Sequence, residues 1–435
     1  MLGSYRFRLS FSKDRTVLDA QRRDLFAIYT QAVRAVHGRQ VVCDHLRARP
    51  PVRPVYLAAV GKAAAAMTAG AFATWSDAIH SAVVITRHGH APDATQREPR
   101  TRYLEAGHPH PDGASIVAGQ TLVEFLAAVP SAAQCLVLIS GGASTLVEVL
   151  PSGISLADWQ RVNAWLLGSG LNIRAMNAVR SALSCIKGGR LVHALGARRT
   201  EVLLLSDVPG DDPRVIGSGL LCPDDDALNV LRELALPGWI DTLLHAAPVA
   251  PARDDARFAS VHTSIVATNA MARRAAAEAA RGLGYAAYDH ADELVGDVAI
   301  AARHISDDLS SAQPGVYLWG GETTLKLPSR VGRGGRNQHL ALECAARLAG
   351  RDDFVLLVAG TDGSDGATHN AGAIVDGGTV ERGQRAGLSA QLCLANADAA
   401  TFLETVGEAI CTGPTGTNVM DLIIAIRLSD QQIQS

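Results

Sequence analysis

Val55-Tyr56-Leu57-Ala58-Ala59-Val60-Gly61-Lys62-Ala63-Ala64-Ala65-Ala66-Met67 decides the fold class. Val55–Val60 is continuously apolar with no inside–outside alternation, which predicts a parallel strand covered on both faces. The strand stops at a glycine, and the alanine run behind it is a strong helix former. A strand, a glycine and a helix start in succession leave backbone N–H groups pointing outward, where an anion binds. Lys62 stands there against the preference of the helix dipole for acidic residues. That placement marks it as a candidate functional cation.

The same arrangement recurs outward from this stretch. Apolar runs at Ala82–Thr86, Cys135–Ile139, Glu201–Leu205, Ser264–Ala267, Val316–Trp319, Phe354–Ala359 and Leu422–Ile426 read as strands. Helical spacing predicts helices over Asp24–Val36, Leu156–Leu171, Arg174–Ser184, Ala270–Arg281, Asp292–Leu309 and Leu340–Leu348. A further strand is expected near Tyr285. Strands alternating with helices make an α/β protein. The stretch Pro237–Arg257, rich in Ala, Pro and Asp, reads as the boundary between two domains, 1–245 and 258–435.

Composition narrows the function. A chain of 435 residues suits two cores. With 48% hydrophobic residues and 19% charged, both cores can be large. A net charge of -3 provides no basic excess for a nucleic-acid backbone. The 7 cysteines are scattered singly, without metal-ligand spacing, which fits a reducing cytoplasm. Met1–Lys13 lacks the order of a signal peptide. No apolar run reaches the roughly 18 residues of a membrane span.

Most of the chemistry-bearing loops follow predicted strands. Gly360-Thr361-Asp362-Gly363-Ser364-Asp365-Gly366 interleaves glycines with two carboxylates that suit magnesium or a base. Ser140-Gly141-Gly142-Ala143-Ser144 has the make-up of a phosphate cradle. Lys187-Gly188-Gly189-Arg190 reads as a helix end or an anion clamp. Asp207 and Glu322 also stand at strand ends, and Arg336 follows a glycine pair at a helix start. His88, His90, His108 and His110 crowd one Pro-rich region, but no helical HxxxH pair exists, so they read as structural-turn or substrate-loop residues rather than a zinc site. Gly282-Leu283-Gly284-Tyr285-Ala286-Ala287 matches a dinucleotide pattern by letter, but it follows a helix instead of a strand. No GxxxxGK[ST] motif and no protein-kinase signature is present. Cations, carboxylates and hydroxyls on flexible loops suit phosphoryl transfer, by a kinase without a P-loop or by a phosphatase.

The order of motifs resembles the glycerate 2-kinase family of the MOFRL type. The matching pieces are Val60-Gly61-Lys62-Ala63, Gly107-His108-Pro109 with Pro111-Asp112, Leu138-Ile139-Ser140-Gly141-Gly142 and Ile186-Lys187-Gly188-Gly189-Arg190. Further on come Leu205-Ser206-Asp207-Val208 with Gly210-Asp211, Gly320-Gly321-Glu322-Thr323 and Gly334-Gly335-Arg336-Asn337-Gln338. Ala359-Gly360-Thr361-Asp362-Gly363 and Thr412-Gly413-Pro414-Thr415-Gly416-Thr417-Asn418 complete the set. The resemblance implies ATP-dependent phosphorylation of D-glycerate to 2-phosphoglycerate. It also implies a Rossmann-like α/β/α N-terminal domain, a C-terminal α/β domain and an active site in the interdomain cleft. Lys62 and Arg336 carry over as the catalytic pair. Ser140, Gly141, Gly142, Ser144, Lys187, Arg190, Glu322, Asn337, Thr361 and Asn418 are expected to contact substrate or nucleotide, and Asp207, Asp362 and Asp365 to hold Mg2+; these three and Glu322 are equally candidates for the base. No membrane or nucleic-acid partner is implied; a homo-oligomer stays open.

The chain departs from the family pattern in three places. Arg180-Ser181-Ala182-Leu183-Ser184 stands where Arg-Lys-His-Leu-Ser is usual. Ala143 replaces a third glycine, and His369-Asn370 replaces Asp-Ala. The missing Lys-His pair motivates one alternative to the kinase reading, a ligand-binding homologue with altered or lost activity; a second, a hydroxypyruvate reductase, comes from the label some members of the resembled family carry.

Overall fold

The computed structural model describes residues 8–9, 18–171, 173–224 and 226–429. Apart from a short strand, β1 (Arg8–Leu9), the N-terminal stretch read above lies outside the described residues. Two units form. One is Gly38–Ala267; the other joins Met1–His37 to Thr268–Ser435.

The Gly38–Ala267 unit carries β2 (Val55–Val60), β3 (Ile79–Arg87), β4 (Thr101–Ala106), β5 (Gln134–Ile139), β6 (Thr200–Leu205) and β7 (Val261–Ala267). They make a 6-stranded sheet in the order β4-β3-β2-β5-β6-β7, and every pairing is parallel. The order runs outward from β2 in both directions, the doubly wound arrangement whose ligand crevice lies where the winding reverses. That reversal is between β2 and β5. The apolar strands fill one core with Val60, Val83, Val137, Ile139 and Leu204. Helix Gly113–Ala127 is fixed over this core by a capping box. Ser115 N–H donates to Asp112 Oδ1 at 3.0 Å, and Asp112 N–H donates to Ser115 Oγ at 3.1 Å. A smaller core gathers Ile154, Trp159, Val162, Leu166, Val179, Leu183 and Ile240 from separate helices and the turns beside them.

The other unit carries β8 (Ala287–Asp289), β9 (Leu294–Asp297), β10 (Gly315–Thr324), β11 (Phe354–Gly360), β12 (Gly372–Asp376), β13 (Ala409–Cys411) and β14 (Asp421–Arg427). The sheet order is β1-β13-β12-β11-β14-β10-β8, with β9 also on β10. Strand β14 runs antiparallel to both β10 and β11, so Gly321 and Gly360 face Asp421 from either side. The ends of two strands and the start of a third thus meet at one edge.

Helix Asp19–Ala35 belongs to this second unit. Leu25, Ile28, Tyr29 and Ala32 are fully buried, and the helix packs on Asn269–Gly282 and on β11 and β14. Arg22 seals it by ion pairs to Asp376 and Glu408. The division differs from the expected 1–245 and 258–435 at both ends. The N-terminal helix leaves the first domain, and β7, read as opening the second, pairs with β6. The expected helix over Asp292–Leu309 is also corrected: residues 294–297 form β9 against β10, and the helix proper is Val298–Ser311.

Candidate active site

At the reversal point between β2 and β5, the two strand ends hold each other by main-chain bonds. Lys62 N–H donates to Gly141 O at 2.9 Å, and Ala63 N–H donates to Ser140 Oγ at 3.0 Å. Gly61 has φ +131°, and a Cβ there would lie 2.1 Å from Ser140 Oγ, so only glycine permits the approach. Lys62 sits just ahead of helix Ala64–Trp75, before its first turn rather than within it, and no side chain caps that helix. Gly142, at φ +84°, is flanked by the His108 ring and by Lys62. Ser144 Oγ is 2.7 Å from Ser218 Oγ on the turn Ile216–Ser218. The structure therefore brings Lys62, Ser140, Gly141, Gly142 and Ser144 together with His108, which the sequence left as a turn or substrate-loop residue.

Asp112 accepts from His88 Nε2 at 2.8 Å and from Gly107 N–H at 3.1 Å. Partial burial pushes its carboxyl up, but the bonds from His88, Ser115 and Gly107 prevail and bring it down to about 2. Asp112 of the histidine-rich loop is thus a helix cap, held by His88. Among the described residues no group of three or more His, Cys, Asp or Glu is placed to hold a metal ion.

Lys187 and Arg190 are corrected from ligand contacts to structural groups. Lys187 is 0% exposed, its ammonium pairs with the equally buried Glu148, and it lies 4.8 Å from the centre of the Trp159 ring. Burial pushes the Lys187 ammonium down and the Glu148 carboxyl up. Glu148 also accepts from Ser184 Oγ at 2.5 Å and from Val149 N–H at 3.1 Å. Arg190 spends its guanidinium on the carbonyls of Ser181, Lys187 and Pro248. Asp207, at the end of β6, is half-buried.

In the other unit, Arg336 is the first residue of helix Arg336–Arg347, which begins four residues earlier than its apolar pattern suggests. Its Nε donates to Asp421 Oδ2 at 2.7 Å, Nη2 to Asp421 Oδ1 at 3.3 Å, and Nη1 to Glu322 Oε1 at 2.5 Å. Three of the five guanidinium N–H groups are used. One remains on each Nη, the number a bidentate carboxylate or phosphate takes. Burial opposes the Arg336 charge, but Asp421, Glu322 and Asp365 together hold its pKa above the usual arginine value. Asn337 Nδ2 donates to Asp421 Oδ1 at 2.9 Å.

Asp365 caps this helix, accepting from Asn337 N–H at 3.0 Å and Gln338 N–H at 2.8 Å. Burial pushes its carboxyl up to about 7 against those two bonds. With both oxygens engaged at a helix start, Asp365 is corrected from metal ligand to cap. Asp362 Oδ1 accepts from Ser364 N–H and Oγ, both at 2.9 Å. Thr361 is fully buried and locked to the last strand: its Oγ1 donates to Met420 O at 2.6 Å and accepts from Val419 N–H at 2.8 Å. Thr361 O in turn accepts from Thr415 Oγ1, so Thr361 braces the loop from within. Gly363, at φ +83°, passes so near Gly413 that a Cβ would lie 2.0 Å from its carbonyl oxygen. Asn418 is buried beside this loop. From the N-terminal helix, Tyr29 Oη donates to Gly360 O at 2.7 Å. Burial, then Asp362 and Asp421, push the Tyr29 hydroxyl well above its usual range. Sequence reasoning missed Asp421 and Tyr29. The signal for Asp421 was a lone carboxylate opening an otherwise apolar strand; Tyr29 left none.

Residues 24–242 match a domain family described as of unknown function, DUF4147, and residues 315–421 match the MOFRL family. The chain is 36% identical over 416 residues to a putative hydroxypyruvate reductase of Agrobacterium vitis, covering 92% of this chain and 93% of that one. It is 34% identical to the D-glycerate 2-kinase of Thermotoga maritima, over 86% of this chain and 90% of that one. The chain belongs to the glycerate 2-kinase family of the MOFRL type. The crystal structure of a Thermotoga maritima glycerate kinase superposes with a TM-score of 0.81 at 32% identity, covering 94% of this chain and 100% of that one. Within this family member, the departure at His369-Asn370 is structural: Asn370 Nδ2 donates to Glu404 Oε1 at 2.8 Å. No helix among the described residues is long and apolar enough to cross a membrane.

Proposed function

We propose that the protein is a cytoplasmic, ATP-dependent glycerate 2-kinase. In this reaction the 2-hydroxyl oxygen of D-glycerate bonds to the γ-phosphorus, the bond to the ADP oxygen breaks, and the hydroxyl proton passes to a base. The observation that carries the reading is Arg336, oriented by two carboxylates yet retaining one N–H on each Nη. Lys62, beside the amides of the Ser140–Ser144 loop, would hold the transferring phosphoryl group. Arg336 would stabilise its charge or grip the glycerate carboxylate. Ser140, Gly141, Gly142 and Ser144 would line the nucleotide phosphates.

Magnesium would accompany the nucleotide and neutralise phosphate charge. Its usual mode is one or two protein carboxylates with the remaining ligands from phosphate and water. Asp207 and Asp362 fit that role, whereas Asp365 does not because it caps a helix. Asp207 and Asp362 are also the candidates for the base.

Relatives named hydroxypyruvate reductase support the second reading. Against it, the GxGxxA stretch lies at the C-terminal end of helix Asn269–Gly282, with Gly284 at φ +90° ending that helix instead of opening one. An ADP-release assay across small hydroxy acids, run beside an NADH-oxidation assay with hydroxypyruvate, separates the two. The proposal expects ADP release that requires D-glycerate and magnesium. Steady NADH oxidation without ADP release would overturn it.

A further inference from the structure

Arg180 lies on helix Ile173–Ala182, beside the small core of Trp159, Val162, Val179 and Ile240. Its Nε donates to Asn163 Oδ1 at 2.9 Å, and Asn163 is itself set by Nδ2 donating to Trp159 O at 2.9 Å. No carboxylate among the described residues pairs with Arg180, and burial alone accounts for the lowering of its pKa. Other buried and half-buried arginines of this chain are compensated. Arg22 and Arg382 share Asp376 and Glu408, Arg273 meets Asp289, and Arg190 is spent on carbonyls. The ion pair nearby does not help. Glu148 is closed on Lys187, Ser184 and Val149, and Lys187 adds only like charge facing Arg180.

Guanidinium has five N–H donors, and Asn163 uses one of them. Four remain on the two Nη groups, held by a stem that Asn163 pins. The turn Ile216–Ser218 packs on this helix, and Ser218 bonds Ser144, which puts the helix next to the glycine loop. Ser181 and Ala182, which follow, are uncharged and buried, so neither competes for an anion.

We propose that Arg180 is an anion-binding residue whose two Nη groups grip paired oxygens of a ligand seated at the Ser140–Ser144 loop. The ligand chemistry is a carboxylate or a phosphate. On the kinase reading, on which this rests, D-glycerate supplies the first and ATP the second.

The test measures melting temperature and steady-state KM for D-glycerate and for ATP in wild type, Arg180→Gln and Arg180→Lys. Thermal shifts with D-glycerate, ATP and inorganic phosphate accompany them. Arg180 is half-buried and has no ion-pair partner among the described residues, so Arg180→Gln melts at or above wild type. It raises KM for one ligand about tenfold or more, with kcat changed far less. The ligand whose KM rises identifies the source. Arg180→Lys keeps the charge without the fork, so it shows the same KM rise and decides the matter if the glutamine variant does not fold. A lower melting temperature with both KM values unchanged makes Arg180 structural and overturns the proposal while the kinase reading stands. Thermal stabilisation by ATP or phosphate that disappears in Arg180→Gln, in a wild type without turnover, supports Arg180 and sinks the kinase reading. No stabilisation by any of the three ligands, with no turnover, overturns both.

Discussion

The Lys62 centre and the Arg336 centre are built from different materials. Around Lys62, main-chain bonds and a glycine approach to Ser140 do the positioning, and the cation sits on a scaffold of parallel strands. Around Arg336, side chains do it: Asp421 and Glu322 orient the guanidinium, while Asp365 caps the helix that carries it. A site made of backbone is damaged by adding atoms. A site made of ion pairs is damaged by removing charge.

The largest expected effects come from the two cations themselves. Lys62→Ala and Arg336→Ala should each lower kcat for ADP release by about a thousandfold, the scale of deleting a transition-state charge stabiliser. Wild-type turnover in either variant would remove that centre from the reaction. A finer contrast follows. Gly61→Ala forces a Cβ against Ser140, so it should lower both the melting temperature and activity. Asp421→Asn keeps the shape and loses the charge that aligns Arg336. It should lower kcat ~10–100-fold with KM little changed and the fold intact. If Gly61→Ala leaves stability untouched, or Asp421→Asn raises only KM, the distinction between the two centres fails.

The smallest effect on catalysis is expected at Lys187. Lys187→Met leaves Glu148 buried and unpaired, which costs about 3–5 kcal/mol of stability. Lys187→Met with Glu148→Met should recover much of that loss in urea titrations. Activity per folded molecule should persist in both. A selective loss of turnover in the stable double variant would return Lys187 to the active site.

Strand, glycine and cation were legible where local pattern carries the information. Val55–Val60 matches its strand end for end, and Lys62 follows it as the sequence reads; that the sheet reverses its winding there comes only from the strand order. Pairing between distant segments was not legible. Thr101–Ala106 mixes polar and apolar residues because it is the edge strand β4, exposed along one side, so it lacked the apolar run of its neighbours. Residues 294–297 carry no length signal, and only the partner β10 makes them a strand. Lys187 looked like a ligand contact because a lysine followed by two glycines is usually exposed. Its burial depends on Glu148, which lies 39 positions away in the chain.

The central claim is phosphoryl transfer to the 2-hydroxyl of D-glycerate. The most direct measurement is the proton-coupled 31P NMR spectrum of the product formed with ATP. Phosphate on O2 has one proton on the attached carbon, so the account predicts a monoester doublet accompanied by ADP. A triplet, from the two protons on C3, or the absence of any new monoester would contradict it.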